Sequence, residues 1–219
     1  MAFWNSLEFK NDFLDLIDKV KGLDLVLEIA NQSGVRYALF GGAYVSLATR
    51  SRPVTDIDFL TNAYAIRELR QRFPESVLKG SQPGFATQFL CPLGTNLIEF
   101  TADIEVYNGK HKYSFFLTDL VWKYTQRVII SVYQLYFVNP LEVILLKAIL
   151  QRGKDQGKHD LEDIKSLLKF TYINNNYLRQ RLIEINADER VINCLAQFGI
   201  RVPVEEQTEK EISEATNAE

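Results

Sequence analysis

Two aspartates, Asp56 and Asp58, stand two positions apart in a short run that predicts a strand over residues 56–60. Because side chains alternate along a strand, both carboxylates point to one face, while Ile57 and Phe59 point into the core. Neighbouring ionised carboxylates repel each other, and a cation between them relieves that repulsion. Hard oxygen ligands suit Mg²⁺, which also binds substrate phosphates. The pair therefore predicts a magnesium site.

A pair of glycines, Gly41 and Gly42, lies between a predicted buried strand, 37–40, and a predicted short helix, 43–49. Glycines allow a ligand to approach the backbone closely, and the free N–H groups at a helix start attract anions. Alone, a Gly-Gly pair is usually a turn, and an Asp-x-Asp pair arises by chance. In the order strand, Gly-Gly, helix, Asp-x-Asp strand, they indicate a phosphate site beside a metal site.

These motifs resemble a known family. Gly41-Gly42, thirteen residues and then Asp56-Ile57-Asp58 are similar to the signature of the nucleotidyltransferase superfamily that shares the DNA polymerase β catalytic core. Arg52 and Thr55, between the two motifs, match residues that many small members carry. The resemblance implies a nucleoside triphosphate as substrate and two Mg²⁺ ions as cofactors.

Within the superfamily, the chain most resembles the minimal nucleotidyltransferases of bacteria and archaea, particularly the AbiEii type. That type joins the core to a helical region with a stretch rich in Lys and Asp, and the segment 147–164 is similar to it. Because AbiEii-type proteins act as toxins in toxin–antitoxin pairs, the resemblance implies a cognate antitoxin or toxin as a partner.

The resemblance also implies a third carboxylate on a later strand, flanked by apolar residues. Glu99, within Leu97-Ile98-Glu99-Phe100, fits best, and Asp103 is the fallback because it has the same strand parity. The implied reaction is the displacement of pyrophosphate from the α-phosphorus by a hydroxyl group, with Glu99 as a metal ligand or as the base. The catalytic and metal-binding set is then Asp56, Asp58 and Glu99.

Several residues near these motifs are candidates for nucleotide binding. Arg50 and Arg52 follow the glycine turn and could pair with phosphates, or they could lie in a solvated loop. Lys147 interrupts an apolar helix, so its charge needs a carboxylate, a phosphate or water. Tyr44 could stack on a base or pack in the core. The predicted nucleotide-binding set is Gly41, Gly42, Tyr44, Arg50, Arg52, Thr55 and Lys147.

Two classes of function remain open from the sequence. The first is an enzyme that transfers a nucleoside monophosphate to a hydroxyl acceptor: an RNA end such as that of tRNA, a protein side chain or a small molecule. The second is a catalytically degenerate fold that serves as an antitoxin or partner-binding module. The intact Asp-x-Asp pair favours the enzyme, since an inactive site has no physical need to keep paired like charges.

The elements that must position these residues form an α/β (α+β) chain, with a small mixed β-sheet core followed by a helical C-terminal region. We predict a nucleotidyltransferase core over 1–139, a helical region over 140–203 and a disordered acidic tail over 204–219. Further predicted helices cover 11–20, 23–32, 63–73, 141–151, 160–170, 177–185 and 189–198. Further predicted strands cover 85–91, 96–101, 128–132 and 135–138.

Composition excludes several classes of protein. The chain has 219 residues, 47% hydrophobic, with two Cys and two His, which disfavours a disulfide framework and a structural zinc site. The segment 204–219 holds six Glu and one Lys, so the net charge of −3 becomes about +2 without it, and no strong basic surface for nucleic acid is indicated. No leader or membrane segment is evident, so we expect a cytoplasmic protein that makes no contact with the membrane.

Overall fold

The computed structural model describes residues 6–51, 53–54, 56–74, 76, 79–80, 86–93 and 98–202. Arg52, Thr55 and the predicted tail, 204–219, lie outside these residues.

The described part of the chain contains nine α-helices. They are α1 (Leu7–Lys19), α2 (Leu23–Gln32), α3 (Gly41–Thr49), α4 (Ala63–Arg72), α5 (Asp119–Lys123), α6 (Pro140–Leu150), α7 (Asp160–Leu167), α8 (Asn175–Glu184) and α9 (Glu189–Gln197). A 3₁₀ turn, Lys154–Gln156, lies between α6 and α7. None of the described helices has the length and apolar character needed to cross a membrane.

One mixed sheet runs through the described residues in the order β3-β4-β5-β2-β1-β8-β7, and β6 pairs with β5. Its strands are β1 (Tyr37–Phe40), β2 (Ile57–Thr61), β3 (Lys79–Gly80), β4 (Ala86–Leu93), β5 (Ile98–Asn108), β6 (His111–Phe115), β7 (Gln126–Ile130) and β8 (Tyr133–Phe137). Strand β1 is antiparallel to β2 and parallel to β8, and β2 is parallel to β5. The predicted mixed α/β fold is confirmed.

The centre of the sheet and the helix α6 form the core. All four residues of β1 are buried, which is the pattern of a strand covered on both faces. Nine of the eleven residues of α6 are buried, because this helix is apolar on nearly all sides. The buried cluster is continuous from Phe9 in α1 to Ile200 after α9, so the helices that follow β8 share one core with the sheet.

The structure moves some predicted boundaries and adds elements. The helix predicted from residue 43 begins two residues earlier, at Gly41, which takes a left-handed backbone with φ +69° directly after β1. The strand predicted over 85–91 extends further, since Pro92 and Leu93 still belong to β4. The sequence interpretation missed β6, whose two inward residues, Tyr113 and Phe115, make too short an alternation to identify a strand.

Candidate active site

The junction between β1 and α3 is shaped by Gly41. Phe40 has extended backbone angles, and no described side chain caps the helix start, so the first-turn N–H groups of α3 lack a capping oxygen from the described residues. A Cβ placed on Gly41 would lie 2.5 Å from Oδ2 of Asp58. Gly41 is therefore required both by its left-handed backbone and by the carboxylate packed against it.

Three predicted carboxylates come together beside this junction. Asp58 lies in β2, where it pairs with Phe40 of β1 on one side and with Glu99 of β5 on the other, and Asp56 directly precedes β2. Burial, together with the negative charges of Asp56 and Glu99, raises the pKa of Asp58 to about 7, although the positive charges of Lys147 and Lys158 act to lower it. The cluster of Asp56, Asp58 and Glu99 therefore concentrates negative charge.

Asp103, the fallback third carboxylate, lies away from this cluster. The register of β5 with β4 shifts around it, and its backbone is left-handed with φ +52°, as expected at a bulge. At about 3.3 Å per residue, it lies about 13 Å along β5 from Glu99. Burial and Glu105 raise its pKa, and neither Asp56 nor Asp58 contributes to that shift.

Lys147 is close to the cluster but is occupied by other carboxylates. Its Nζ lies 2.8 Å from Oδ1 of Asp160 and 2.9 Å from Oδ2 of Asp163, and all three side chains are buried. The predicted need for a partner is met by α7, so the structure does not show Lys147 available for a phosphate. Its positive charge nevertheless lowers the pKa of Asp58.

Asp160 is the centre of this second cluster. It is fully buried, and its Oδ2 also accepts hydrogen bonds from Nε and the backbone N–H of Arg152, each at 2.9 Å. Burial acts to raise the pKa of Asp160, but the hydrogen bonds from Arg152 and Lys147 outweigh it and leave the pKa below its ordinary value. The spacing of Lys and Asp in 147–164 is the feature of the sequence that indicates this cluster, although it does not by itself identify Asp160 as its centre.

Two other predicted nucleotide-binding residues are placed elsewhere. Tyr44 cannot stack on a base, because its side chain is fully buried and packs edge-on against Phe137, with ring centroids 6.3 Å apart. Arg50 ends α3, about 13 Å from Gly41 at 1.5 Å per residue, and its Nε bonds Oδ2 of Asp12 in α1 at 2.6 Å. Tyr44 therefore takes the second of its two predicted roles, packing in the core, and Arg50 pairs with a carboxylate away from the start of α3.

Arg50 and Asp12 line a cleft of about 730 Å³ between α1 and the end of α3, and the cleft reaches Ile57. The carboxylates Asp56, Asp58 and Glu99 are not among its lining residues. Gly42 lies in the first turn of α3, where its carbonyl accepts a hydrogen bond from Ser46 Oγ at 3.0 Å. Within the described ranges, no group of three or more His, Cys, Asp or Glu side chains could hold a metal ion in its present arrangement.

Solved structures similar to this chain include nucleotidyltransferases. Lincosamide antibiotic adenylyltransferase LnuA, with lincomycin bound, is 17% identical, with a TM-score of 0.43 and coverage of 69% of this chain and 97% of its own. ANT(2")-Ia in complex with adenylyl-2"-tobramycin is 12% identical, with a TM-score of 0.47 and coverage of 83% and 97%. An antigenic nucleotidyltransferase-like protein from Paracoccidioides brasiliensis is 18% identical, with a TM-score of 0.46 and coverage of 98% and 94%.

No protein-family model and no curated protein matches the chain. The structural likenesses are too distant to assign an activity, so the function must be inferred from the residues of this chain.

Proposed function

We propose that this chain is a nucleotidyltransferase that moves a nucleoside monophosphate from a nucleoside triphosphate to a hydroxyl acceptor. The observation that carries the proposal is the cluster of Asp56, Asp58 and Glu99 beside the uncapped start of α3. Carboxylates for cations and backbone N–H groups for phosphates are the two requirements for binding a metal–triphosphate complex.

The residues of the cluster fit Mg²⁺ in chemistry and charge. All three donors are carboxylates, and Asp56 and Glu99 both disfavour the ionised form of Asp58, which is the repulsion that a cation removes. When bound, Mg²⁺ ions would neutralise phosphate charge and lower the pKa of an attacking hydroxyl. Since the side chains are not yet placed to hold a metal, we propose that binding draws them together.

The residues of the chain divide the remaining work. The first-turn N–H groups of α3, at Gly41 and Gly42, donate to phosphate oxygens of the triphosphate. The acceptor hydroxyl oxygen then bonds to the α-phosphorus, the bond from the α-phosphorus to its bridging oxygen breaks, and pyrophosphate leaves. In this proposal Glu99 takes the hydroxyl proton. The protein contributes positioning and electrostatics rather than a covalent intermediate.

The acceptor in this proposal is a hydroxyl on an RNA end, a protein or a small molecule, in the cytoplasm. The AbiEii-type resemblance favours RNA or protein and a toxin paired with an antitoxin. Expression of the wild type without an antitoxin should then arrest growth, and expression of Asp56→Asn/Asp58→Asn should not. A small-molecule acceptor predicts normal growth for both.

The experiment that tests the activity is transfer of label from nucleoside triphosphates to acceptors in a cell extract. With Mg²⁺, the wild type should transfer label from the α-position and none from the γ-position. Asp58→Asn should lower the rate by at least about a hundredfold, because it removes a group that stabilises the transition state. Glu99→Gln should lower it similarly, whereas the matched variant Asp103→Asn on the same strand should not.

Other outcomes would change the proposal. Equal losses in Glu99→Gln and Asp103→Asn would contradict the assignment of Glu99. A wild type that transfers no label and binds none of the four common triphosphates would contradict the enzyme and favour a partner-binding module.

A further inference from the structure

The segment that connects α6 to α7 carries several cations, and all but one have acidic partners. Arg152 bonds Asp160, and Lys154 lies 3.6 Å from Oε1 of Glu162. Lys158 is the exception: its exposed side chain makes no hydrogen bond or ion pair with any described residue. Its charge is therefore available to a ligand.

Lys158 is also held in a defined place. Its backbone N–H donates to the carbonyl of Gly153 at 3.0 Å, and Gly157 turns the chain just before it with φ +66°. Two residues later Asp160 begins α7, which packs against α3, the helix that starts beside Asp58. The positive charge of Lys158 reaches Asp58 and lowers its pKa. Since α7 packs against α3 and its first residue, Asp160, bonds Lys147 of α6, Lys158 lies at the end of α7 where these three helices meet.

The two lysines near Asp58 differ in what they can do. If Lys147 turned toward a phosphate, it would leave Asp160 and Asp163 buried without their ammonium partner, which is costly. If Lys158 turned toward a phosphate, it would leave no buried carboxylate unpaired, because its flexible side chain is exposed to solvent. An arriving triphosphate adds negative charge next to three carboxylates, and a free cation there offsets the added repulsion.

We propose that Lys158 binds the polyphosphate of the nucleotide, while Lys147 stays in its buried cluster as a structural cation. This inference rests on the proposed nucleotidyltransferase function. It assigns substrate contact to a residue of the connecting segment, outside the glycine and aspartate motifs.

The test measures the binding of each of the four common Mg²⁺–nucleoside triphosphates by calorimetry, without an acceptor. For the triphosphate that binds best, Lys158→Gln should raise the Kd about tenfold, because it removes one charge-assisted hydrogen bond. Lys158→Arg, which keeps the charge, should stay within about threefold of the wild type. The matched control is Lys154→Gln, which removes an exposed charge from the same segment and should change the Kd less than twofold.

A base-free probe identifies the part of the nucleotide involved. Inorganic tripolyphosphate should compete with the nucleotide, and Lys158→Gln should weaken that competition by a similar factor. Circular dichroism melts should show that all three variants fold as the wild type does.

The outcomes separate this inference from the proposed function. A wild-type Kd in Lys158→Gln, or an equal loss in Lys154→Gln, would overturn the role of Lys158 and leave the proposed function standing. A wild type that binds none of the four triphosphates would overturn the proposed function itself.

Discussion

Two of the groups of buried or partly buried charge in the described residues are built in opposite ways. In the contact between α6 and α8, Glu142 is fully buried and accepts three hydrogen bonds at 2.8 Å, two from Arg181 and one from the Tyr177 hydroxyl. At the start of α3, Asp58 instead has the carboxylates Asp56 and Glu99 as charged neighbours. The first group is balanced, and the second carries excess negative charge.

The pKa shifts of Arg181 and Asp58 reflect the difference between the balanced and the unbalanced group. Burial acts to lower the pKa of Arg181, but Glu142 outweighs it and raises the pKa above the ordinary value, so the guanidinium stays charged. Burial and like charges raise the pKa of Asp58 to about 7. Charges that serve the fold are compensated within the fold, whereas clustered like charges are typical of a site whose ligand completes the balance.

The largest effect on stability is expected from the balanced group. Arg181→Met should lower the free energy of unfolding by about 3–5 kcal/mol, because it leaves Glu142 buried without its guanidinium. Urea denaturation at pH 7 measures this. Arg179→Met, at an exposed position of the same helix, should cost less than about 1 kcal/mol. Equal losses in the two variants would contradict a structural role for the Arg181–Glu142 pair.

A smaller loss is expected at the glycine that touches Asp58. Gly41→Ala forces a side chain into a left-handed backbone and against the Asp58 carboxylate, so it should cost about 3 kcal/mol. Gly34→Ala is the matched control, because Gly34 has φ +64° but nothing within 4 Å of an added Cβ. It should cost about 1–2 kcal/mol from backbone strain alone. If both cost the same, Asp58 is not packed against Gly41.

The group around Asp58 should make the stability of the protein fall as the pH rises. Because the folded-state pKa of Asp58 is about 7 against an ordinary value of 3.8, the folded protein binds more protons between pH 4 and 7, and Asp58 lowers stability as the pH rises through that range. Asp58→Asn removes this loss. In urea denaturation it should be more stable than the wild type at pH 8, and this difference should shrink to nearly nothing near pH 4. A variant less stable than the wild type at pH 8 would show that the carboxylate supports the fold.

Local signals made the glycine–aspartate part of the site predictable. The run from Tyr37 to Phe40 is short and apolar and ends in Gly-Gly, which predicts a strand followed by a turn. Asp56 and Asp58 lie two positions apart on a predicted strand, so their side chains are expected on the same face. The place of Glu99 beside Asp58 depends on the parallel pairing of β2 with β5, which no local pattern encodes. It was predicted only through the family resemblance.

Two of the predicted nucleotide-binding residues, Tyr44 and Arg50, lie away from the carboxylate cluster for a common reason. Tyr44 was assigned by its nearness in sequence to the glycines, but α3 is buried on several sides and places that ring in the core. Arg50 was assigned in the same way, but nine residues of helix carry it away from Gly41 to a partner on α1. A residue that follows the glycines closely in sequence can still lie far from the start of the helix. Its partners from distant segments are set by tertiary packing.

The central claim is that the carboxylate cluster is a site for a metal–triphosphate complex and does not support the fold. Thermal unfolding with and without Mg²⁺ and a nucleoside triphosphate at about ten times its Kd tests it most directly. The wild type should gain about 1.4 kcal/mol from the ligand. Asp56→Asn/Asp58→Asn should gain nothing and, without ligand, should be at least as stable as the wild type. A double variant that unfolds without ligand, or that keeps the full gain, would contradict the claim.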